Sequence, residues 1–465
     1  MNSPKIVFIG GGSYQWVPTL FRDIAVNEHL KGCTFVLHDL DAVRNTELAD
    51  VCRIIARKLG STVRVETEDL LENALIGADS VILCISTGGL DAMEHDIEIP
   101  KKYGIYQPVG DSTGPGGISR TLRNVPVVVG IARKMEELCP DAWLLNLSNP
   151  MGQIVRAIHK SSSIKVVGLC HEFMSFMGKV EGLFGLKDWK QETSATIAGV
   201  NHFAWITRLT INGRDGLEML REHTGVPAAV ASPGKLVNLS EKLSGDQVKF
   251  ALFKTYGAMP YPGDRHLVEF FPHFLSEKTN YGADFGVGLT SVDDRRTNWI
   301  NGFKKRIAEW VSDDPNSIPR GPSYESLAPI LAALFGGPAT VQPVTIPNEG
   351  QVANLPMGAT VETLATFQQN LLSPHASGAL PDELLALVHK HCVIQELTVE
   401  GALTGDRTKI LQAMIADPLN NNNDYREIEA MMNELLEANR ALLPQFFSRG
   451  KSASQVLAGE SAAAR

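Results

Sequence analysis

The 465-residue chain has no unbroken apolar run approaching the roughly 18–20 residues that a membrane span needs. Its six cysteines are scattered, with no Cys-x-x-Cys pair, which argues against a disulfide framework or a closed zinc site. A basic excess is also missing: Lys and Arg number 43 against 52 Asp and Glu, for a net charge of −9. Nucleic-acid binding needs a basic footprint, so no nucleic-acid partner is expected, although a small anionic substrate would need only a local cluster. The start, Met1-Asn2-Ser3-Pro4-Lys5, lacks a charged region followed by an apolar stretch and a cleavage site, so the expectation is a cytoplasmic protein without a membrane partner. What is present is ordinary globular composition, 44% hydrophobic and 20% charged, in a length that suits two or three domains.

The first half alternates short Val/Ile/Leu-rich runs with helical patterns. Strands are expected at Lys5–Ile9, Thr34–His38, Ser80–Ile85, Trp143–Leu147 and Lys165–Leu169. They are apolar on both faces, as buried parallel strands are. Helices are expected between them at Trp16–Val26, Val43–Leu59, Arg120–Leu138 and Met151–His159. This alternation predicts an α/β fold, a Rossmann-type doubly wound parallel sheet, over residues 1–194. From about Thr193 the character changes. A strand pair at Thr193–Thr210 precedes helices at Asp215–Glu222, Gly245–Tyr256, Arg295–Val311 and Glu325–Phe335. An extended Val341–Leu355 and helices at Pro381–Thr404 and Tyr425–Leu443 complete a mixed α+β domain over 195–445. Residues 446–465 read as a flexible tail.

The clearest motif is Gly10-Gly11-Gly12-Ser13 after the first strand. Glycines there allow a tight turn and let a pyrophosphate approach the backbone at a helix N-terminus. The third glycine position of the dinucleotide fingerprint holds Gln15. The second strand ends in Asp39, placed to accept the ribose hydroxyls and to favour NAD over NADP. Thr87 and Asn146 follow further strands at the same carboxyl edge. A second constellation lies on that edge: Cys170-His171-Glu172 and Asn201-His202-Phe203. A thiolate and an imidazole can hold a divalent cation with positions left for substrate oxygens. Asn149 supplies an amide suited to sugar hydroxyls, and 256–266 interleaves Pro and Gly with Tyr256, Tyr261, Asp264, Arg265 and His266 in a loop of functional character.

In their order, these residues resemble glycoside hydrolase family 4, the NAD- and Mn²⁺-dependent glycosidases. Gly114-Pro115-Gly116-Gly117 ahead of Arg120 and Arg123, and Cys139-Pro140-Asp141-Ala142-Trp143, add to the resemblance, which spans about residues 4–445. It implies a lactate/malate-dehydrogenase-like Rossmann domain plus an α+β domain, and a homodimer or homotetramer. It also implies a mechanism outside the two-carboxylate scheme. NAD⁺ takes hydride from carbon 3 of the sugar, a base removes the acidified carbon 2 hydrogen, and the aglycone leaves by elimination. Water then adds, and the hydride returns. By position, Cys170 and His202 match the metal ligands, Asn149 the substrate amide, and Gly10, Gly12, Ser13 and Asp39 the dinucleotide site, with Thr87 and Asn146 beside it. His171 stands where a general acid for the leaving group is expected. The base is expected to be Asp264, with Tyr256 as the alternative. Asn201, His266, Arg120 and Arg265 complete the expected substrate contacts. The Cys-His-Glu step most resembles the α-galacturonidases, although Phe173 departs from their pattern. Arg265, Arg120 or Arg123 can hold a uronate, but equally a sulfonate. The expected substrate is therefore an α-galacturonide, followed by an α-sulfoquinovoside and then a neutral α-galactoside or α-glucoside. A lactate/malate-type dehydrogenase and a non-catalytic NAD sensor are the competing classes.

Overall fold

The computed structural model describes residues 3–224, 246–321 and 323–447. Its strands, in chain order, are β1 (Lys5–Ile9), β2 (Thr34–His38), β3 (Arg64–Thr67), β4 (Ser80–Leu83), β5 (Trp143–Asn146), β6 (Lys165–Gly168), β7 (Thr193–Val200), β8 (Phe203–Ile211), β9 (Arg214–Asp215), β10 (Met259–Pro260), β11 (Thr340–Pro347), β12 (Thr360–Gln368) and β13 (Leu371–Pro374). Six of them form a parallel array in the order β3-β2-β1-β4-β5-β6. This is the doubly wound Rossmann order, whose ligand crevice opens where the winding reverses, between β1 and β4.

Two-residue periodicity explains why the array is buried on both sides. Ile6, Phe8, Phe35, Leu37, Ile82 and Leu145 face one hydrophobic core, with helices Trp16–Val26 and Ala42–Leu59. Val7, Ile9, Val36, Val81, Leu83 and Leu144 face the other, with helices Gly114–Leu138 and Met151–Ser161. The buried Arg123–Asp96 pair ties Gly114–Leu138 to the neighbouring helix Gly89–Lys102.

Three strands from the expected second domain continue this sheet. β11 pairs antiparallel with β6 through Thr345 and Gly168, and β12 and β13 follow it outward. The expected division at 194/195 therefore crosses one nine-stranded sheet. A smaller sheet, β10-β8-β7 with β9 beside β8, carries the hairpin that ends in Asn201 and His202. The extended run expected over 341–355 stops at Pro347. The helix expected over 295–311 is instead a π-helical turn, Arg295–Trp299, followed by helix Ile300–Val311. No described helix is long and apolar enough to cross a membrane, and all six cysteines are free. The expected tail lies outside the described residues from 448 onward.

Candidate active site

The turn after β1 is built for close approach. Gly10 and Gly11 both donate their N–H to the His38 carbonyl at 2.9 Å. Gly10 has φ +103°, and a Cβ there would sit 2.0 Å from the Cys84 carbonyl oxygen, so only glycine fits. The Gly12 N–H donates to Asp39 Oδ2 at 2.8 Å, and Ser13 Oγ accepts the Trp16 N–H at 3.2 Å. Thr87 Oγ1 is buried without a partner, as a hydroxyl awaiting a ligand would be. Gly10, Gly12, Ser13, Asp39 and Thr87 thus follow strands at the reversal of the winding, and the cradle fits a dinucleotide. Asn146 was expected among the cofactor contacts. Its amide is instead engaged with Ser148 N and O, closing the loop after β5.

Beside this edge the ligating atoms of Asp111, His202 and His266 lie within 4.8 Å of one another. The hairpin between β7 and β8 holds His202 at φ +63°, with its ring stacked on His266 at 3.7 Å between centroids. Ser112 Oγ lies 2.6 Å from His202 Nδ1 and donates to Asp111 Oδ1 at 2.8 Å, while Asn149 Nδ2 donates to Asp111 Oδ2 at 3.1 Å. His266 Nδ1 and Asn149 Oδ1 are buried without partners. Burial first, and then the charge of His266, depress His202 to about 3. Burial, supplemented by Arg265, depresses His266 to about 4, with Asp111 opposing. Burial would lift Asp111, but the fields of His266, His202 and Arg120 outweigh it and hold the carboxyl at about 2. At neutral pH both rings are uncharged, and Arg120 and Arg295 are cations that still act on the carboxylate. Neutral imidazoles, an ionised carboxylate and orphaned polar atoms fit a divalent cation with open positions.

Cys170 was expected to share that cation with His202, but it is not a member of the group. Burial, and after it Glu362 and Glu172, push its thiol well above the ordinary range. At neutral pH the sulfur keeps its proton, which a divalent cation bound there would have to displace. Behind it, the buried carboxylate of Glu362 accepts from Asn201 Nδ2 at 2.8 Å, from Thr345 Oγ1 at 3.2 Å and from the Tyr261 hydroxyl. Asn201, expected to contact substrate, therefore braces the hairpin. His171 stands at the N-cap position of helix Glu172–Phe184 without a side-chain capping bond, with its side chain 41% exposed and Nδ1 3.4 Å from Glu325 Oε1.

The expected base, Asp264, points elsewhere. Its carboxylate accepts the N–H groups of Val248 at 2.8 Å and Lys249 at 3.0 Å, capping helix Gln247–Tyr256. Tyr256 is also away from the cluster, its ring packed against Trp205 and Phe271. The 256–266 loop instead delivers Arg265 and His266. Arg120 and Arg295 lie in the field of Asp111 and Arg265 in those of His266 and Glu269, and none of the three makes an ion pair with a carboxylate among the described residues. Arg120 donates to the Asn149 carbonyl and to Ser86, and Arg265 to the Pro108 carbonyl and Thr290, while Arg265 Nε is buried without a partner. Sequence reasoning missed Asp111, Glu362, Arg295 and Glu325. Only Asp111 carries a local signal, its place in the Gly110–Gly114 turn just ahead of the Gly-Pro-Gly-Gly step.

Comparison with known proteins places the whole chain. The family 4 glycosyl hydrolase profile matches residues 5–186, and that of the family's C-terminal domain matches 197–420. The chain is 35% identical to the α-galacturonidase of Bacillus subtilis over 94% of its own length and 98% of that protein. It is 30% identical to an α-galactosidase of the same organism over 95% and 99%. A solved B. subtilis structure, assigned as a glucosidase, superposes with a TM-score of 0.81 at 34% identity, covering 94% and 100% of the two chains. The 6-phospho-β-glucosidase of Thermotoga maritima, solved with manganese, NAD⁺ and glucose 6-phosphate, shares the fold at a TM-score of 0.75 and 21% identity, covering 94% and 99%. Nearly the whole chain is spanned by these matches, and the protein belongs to the family 4 glycosyl hydrolases, enzymes that cleave O-glycosyl bonds.

Proposed function

We propose that this enzyme is an NAD- and divalent-metal-dependent α-glycosidase acting on an anionic sugar, an α-galacturonide first. The observation that carries the anionic reading is the three guanidinium groups, Arg120, Arg265 and Arg295, near the Asp111–His266 cluster without a carboxylate ion pair, beside a cradle that suits a dinucleotide. The likeness to an α-galacturonidase supports it, and the solved relative that holds NAD⁺ and manganese supports the cofactors. When bound, these groups supply a reversible hydride acceptor for carbon 3 and Lewis-acid stabilisation of the enolate formed at carbon 2. Gly10, Gly12, Ser13, Asp39 and Thr87 would hold the dinucleotide. His202, Asp111 and His266 would hold the cation, with Cys170 joining once its proton is displaced. Asn149 orients the sugar, Arg120 and Arg265 hold its carboxylate, and His171 protonates the leaving oxygen. A cytoplasmic setting would keep Cys170 reduced. The family resemblance carries a homodimer or homotetramer with it.

The test is hydrolysis of p-nitrophenyl α-galacturonide, α-sulfoquinovoside and α-galactoside with NAD⁺, Mn²⁺ and a thiol. Release from the galacturonide that stops when either cofactor is withheld supports the reading. Preference for the sulfoquinovoside or the galactoside overturns the substrate. No release, with NADH accumulating from a free hydroxy acid, makes the protein a dehydrogenase. Manganese titration, followed by the loss of free-ion EPR signal, separates the ligands. His266→Ala is expected to weaken binding at least tenfold. Unchanged affinity there, with a loss in Cys170→Ser, would restore the Cys170/His202 pair as the whole site.

A further inference from the structure

A segment far from the catalytic edge in sequence reaches His171. Residues 323–326 are pinned at two points. Ser323 Oγ donates to Asp23 on helix Trp16–Val26, and the Glu325 N–H donates back to Ser323 Oγ at 3.1 Å. Asp23 is itself fixed by Arg22 at 2.6 Å. The ring of Tyr324 lies over Gly178 on helix Glu172–Phe184, where a Cβ would come within 2.5–2.9 Å of its atoms. The helix bearing Gly178 is the one at whose N-cap position His171 stands. Held at both points, the segment directs Glu325, its side chain only 14% exposed, to within 3.4 Å of His171 Nδ1. The imidazole centroid lies 6.3 Å from that of the Trp16 ring, and the side chain keeps 41% of its exposure.

We propose that Glu325 is the positioning residue for His171: its carboxylate, 3.4 Å from Nδ1 and not aligned as a hydrogen bond, favours the Nδ1–H tautomer by its charge and so leaves Nε2 for the leaving oxygen. A carboxylate behind an imidazole orients it in many catalytic pairs, and a misdirected ring loses much of the gain from proton transfer. The proposal rests on the reading of His171 as the general acid. In that step the carbon 1–oxygen bond breaks and its electron pair stays on the leaving oxygen. That oxygen takes the Nε2 proton of the imidazolium, while the carbon 2 proton passes to a base and the electrons of the carbon 2–hydrogen bond form the new carbon 1–carbon 2 double bond. The ring retains the Nδ1 proton facing Glu325 and recovers the other from the water that later adds.

Leaving-group dependence tests this, because it separates proton delivery from general damage. Glu325→Gln and His171→Gln are assayed on methyl α-galacturonide, whose alkoxide needs protonation, and on p-nitrophenyl α-galacturonide, whose phenolate does not. Both variants are expected to lose tenfold or more in kcat/KM on the methyl glycoside and less than threefold on the aryl one, with partial rescue by Glu325→Asp. Equal losses on both substrates in His171→Gln would overturn the acid reading. A selective loss in His171→Gln with an unselective or absent one in Glu325→Gln would overturn the role of Glu325 alone. Should Glu325→Gln not fold, the ¹⁵N shifts of His171 in the unaltered protein decide the matter. A neutral ring protonated on Nδ1 supports the proposal, and one with Nδ1 bare overturns it.

Discussion

Glu269 sits fully buried behind the site, with Oε1 accepting the N–H groups of Val109 and Gly110 at 2.7 and 2.8 Å and Oε2 without a partner. Burial raises its carboxyl to about 8. An unfolded Glu ionises near about 4.3. Between those values the folded state holds a proton that the unfolded state has lost, so this residue makes stability fall as pH rises through the window. Glutamine keeps the accepting oxygen and cannot ionise. Glu269→Gln should therefore gain stability over the parent as pH rises from 5 to 8, read from urea melts at both ends. A difference between the two proteins that stays constant with pH would mean that Glu269 is already ionised in the fold. The place of a single residue was legible in the sequence where a local motif forces it. Gly10 and Asp39 are such cases, because a strand-turn-helix step leaves few places for them. Asp111 stands in a loop of Gly, Ser and Thr without periodicity, and Glu362 alternates with Thr in β12, so neither announces its partners.

At the scale of elements, the loop 256–266 shows how a sequence can name the right segment and the wrong side chain. Asp264, Arg265 and His266 are consecutive, but one starts a short helix and caps another, while the next two turn into the site. A carboxylate that accepts two buried N–H groups is a helix cap, and losing such a cap costs about 1–2 kcal/mol. Asp264→Ala should lower the urea midpoint accordingly and leave solvent deuterium exchange at carbon 2 intact. Lost exchange at unchanged stability would return the base role to Asp264. The helices and strands of the first half were legible because burial on both faces forces continuous apolar runs. β3 was not, since its Arg64 and Glu66 lie toward solvent and dilute the apolar pattern.

At the scale of the whole molecule, the division at 194/195, natural from the change in sequence character and lying between the two family profiles, still runs through one sheet. β11 closes the edge that β6 would otherwise expose, and an open edge strand with an apolar face invites aggregation. One hydrophobic cluster contains Ile6, Phe8 and Leu145 from the first half, and Leu327, Leu331, Val344, Ile346 and Phe367 from the second. The candidate site is shared in the same way, with Asp111 and Asn149 before the division and His202, His266 and Arg295 after it. Neither half can bury its own surface, so the two should unfold together. Calorimetry on the full chain should show one transition whose van't Hoff and calorimetric enthalpies agree, and residues 1–194 expressed alone should aggregate or stay unfolded. Two resolved transitions, or a soluble folded 1–194, would show that the shared sheet is a docking contact between independent domains, and that the site assembles only when they meet.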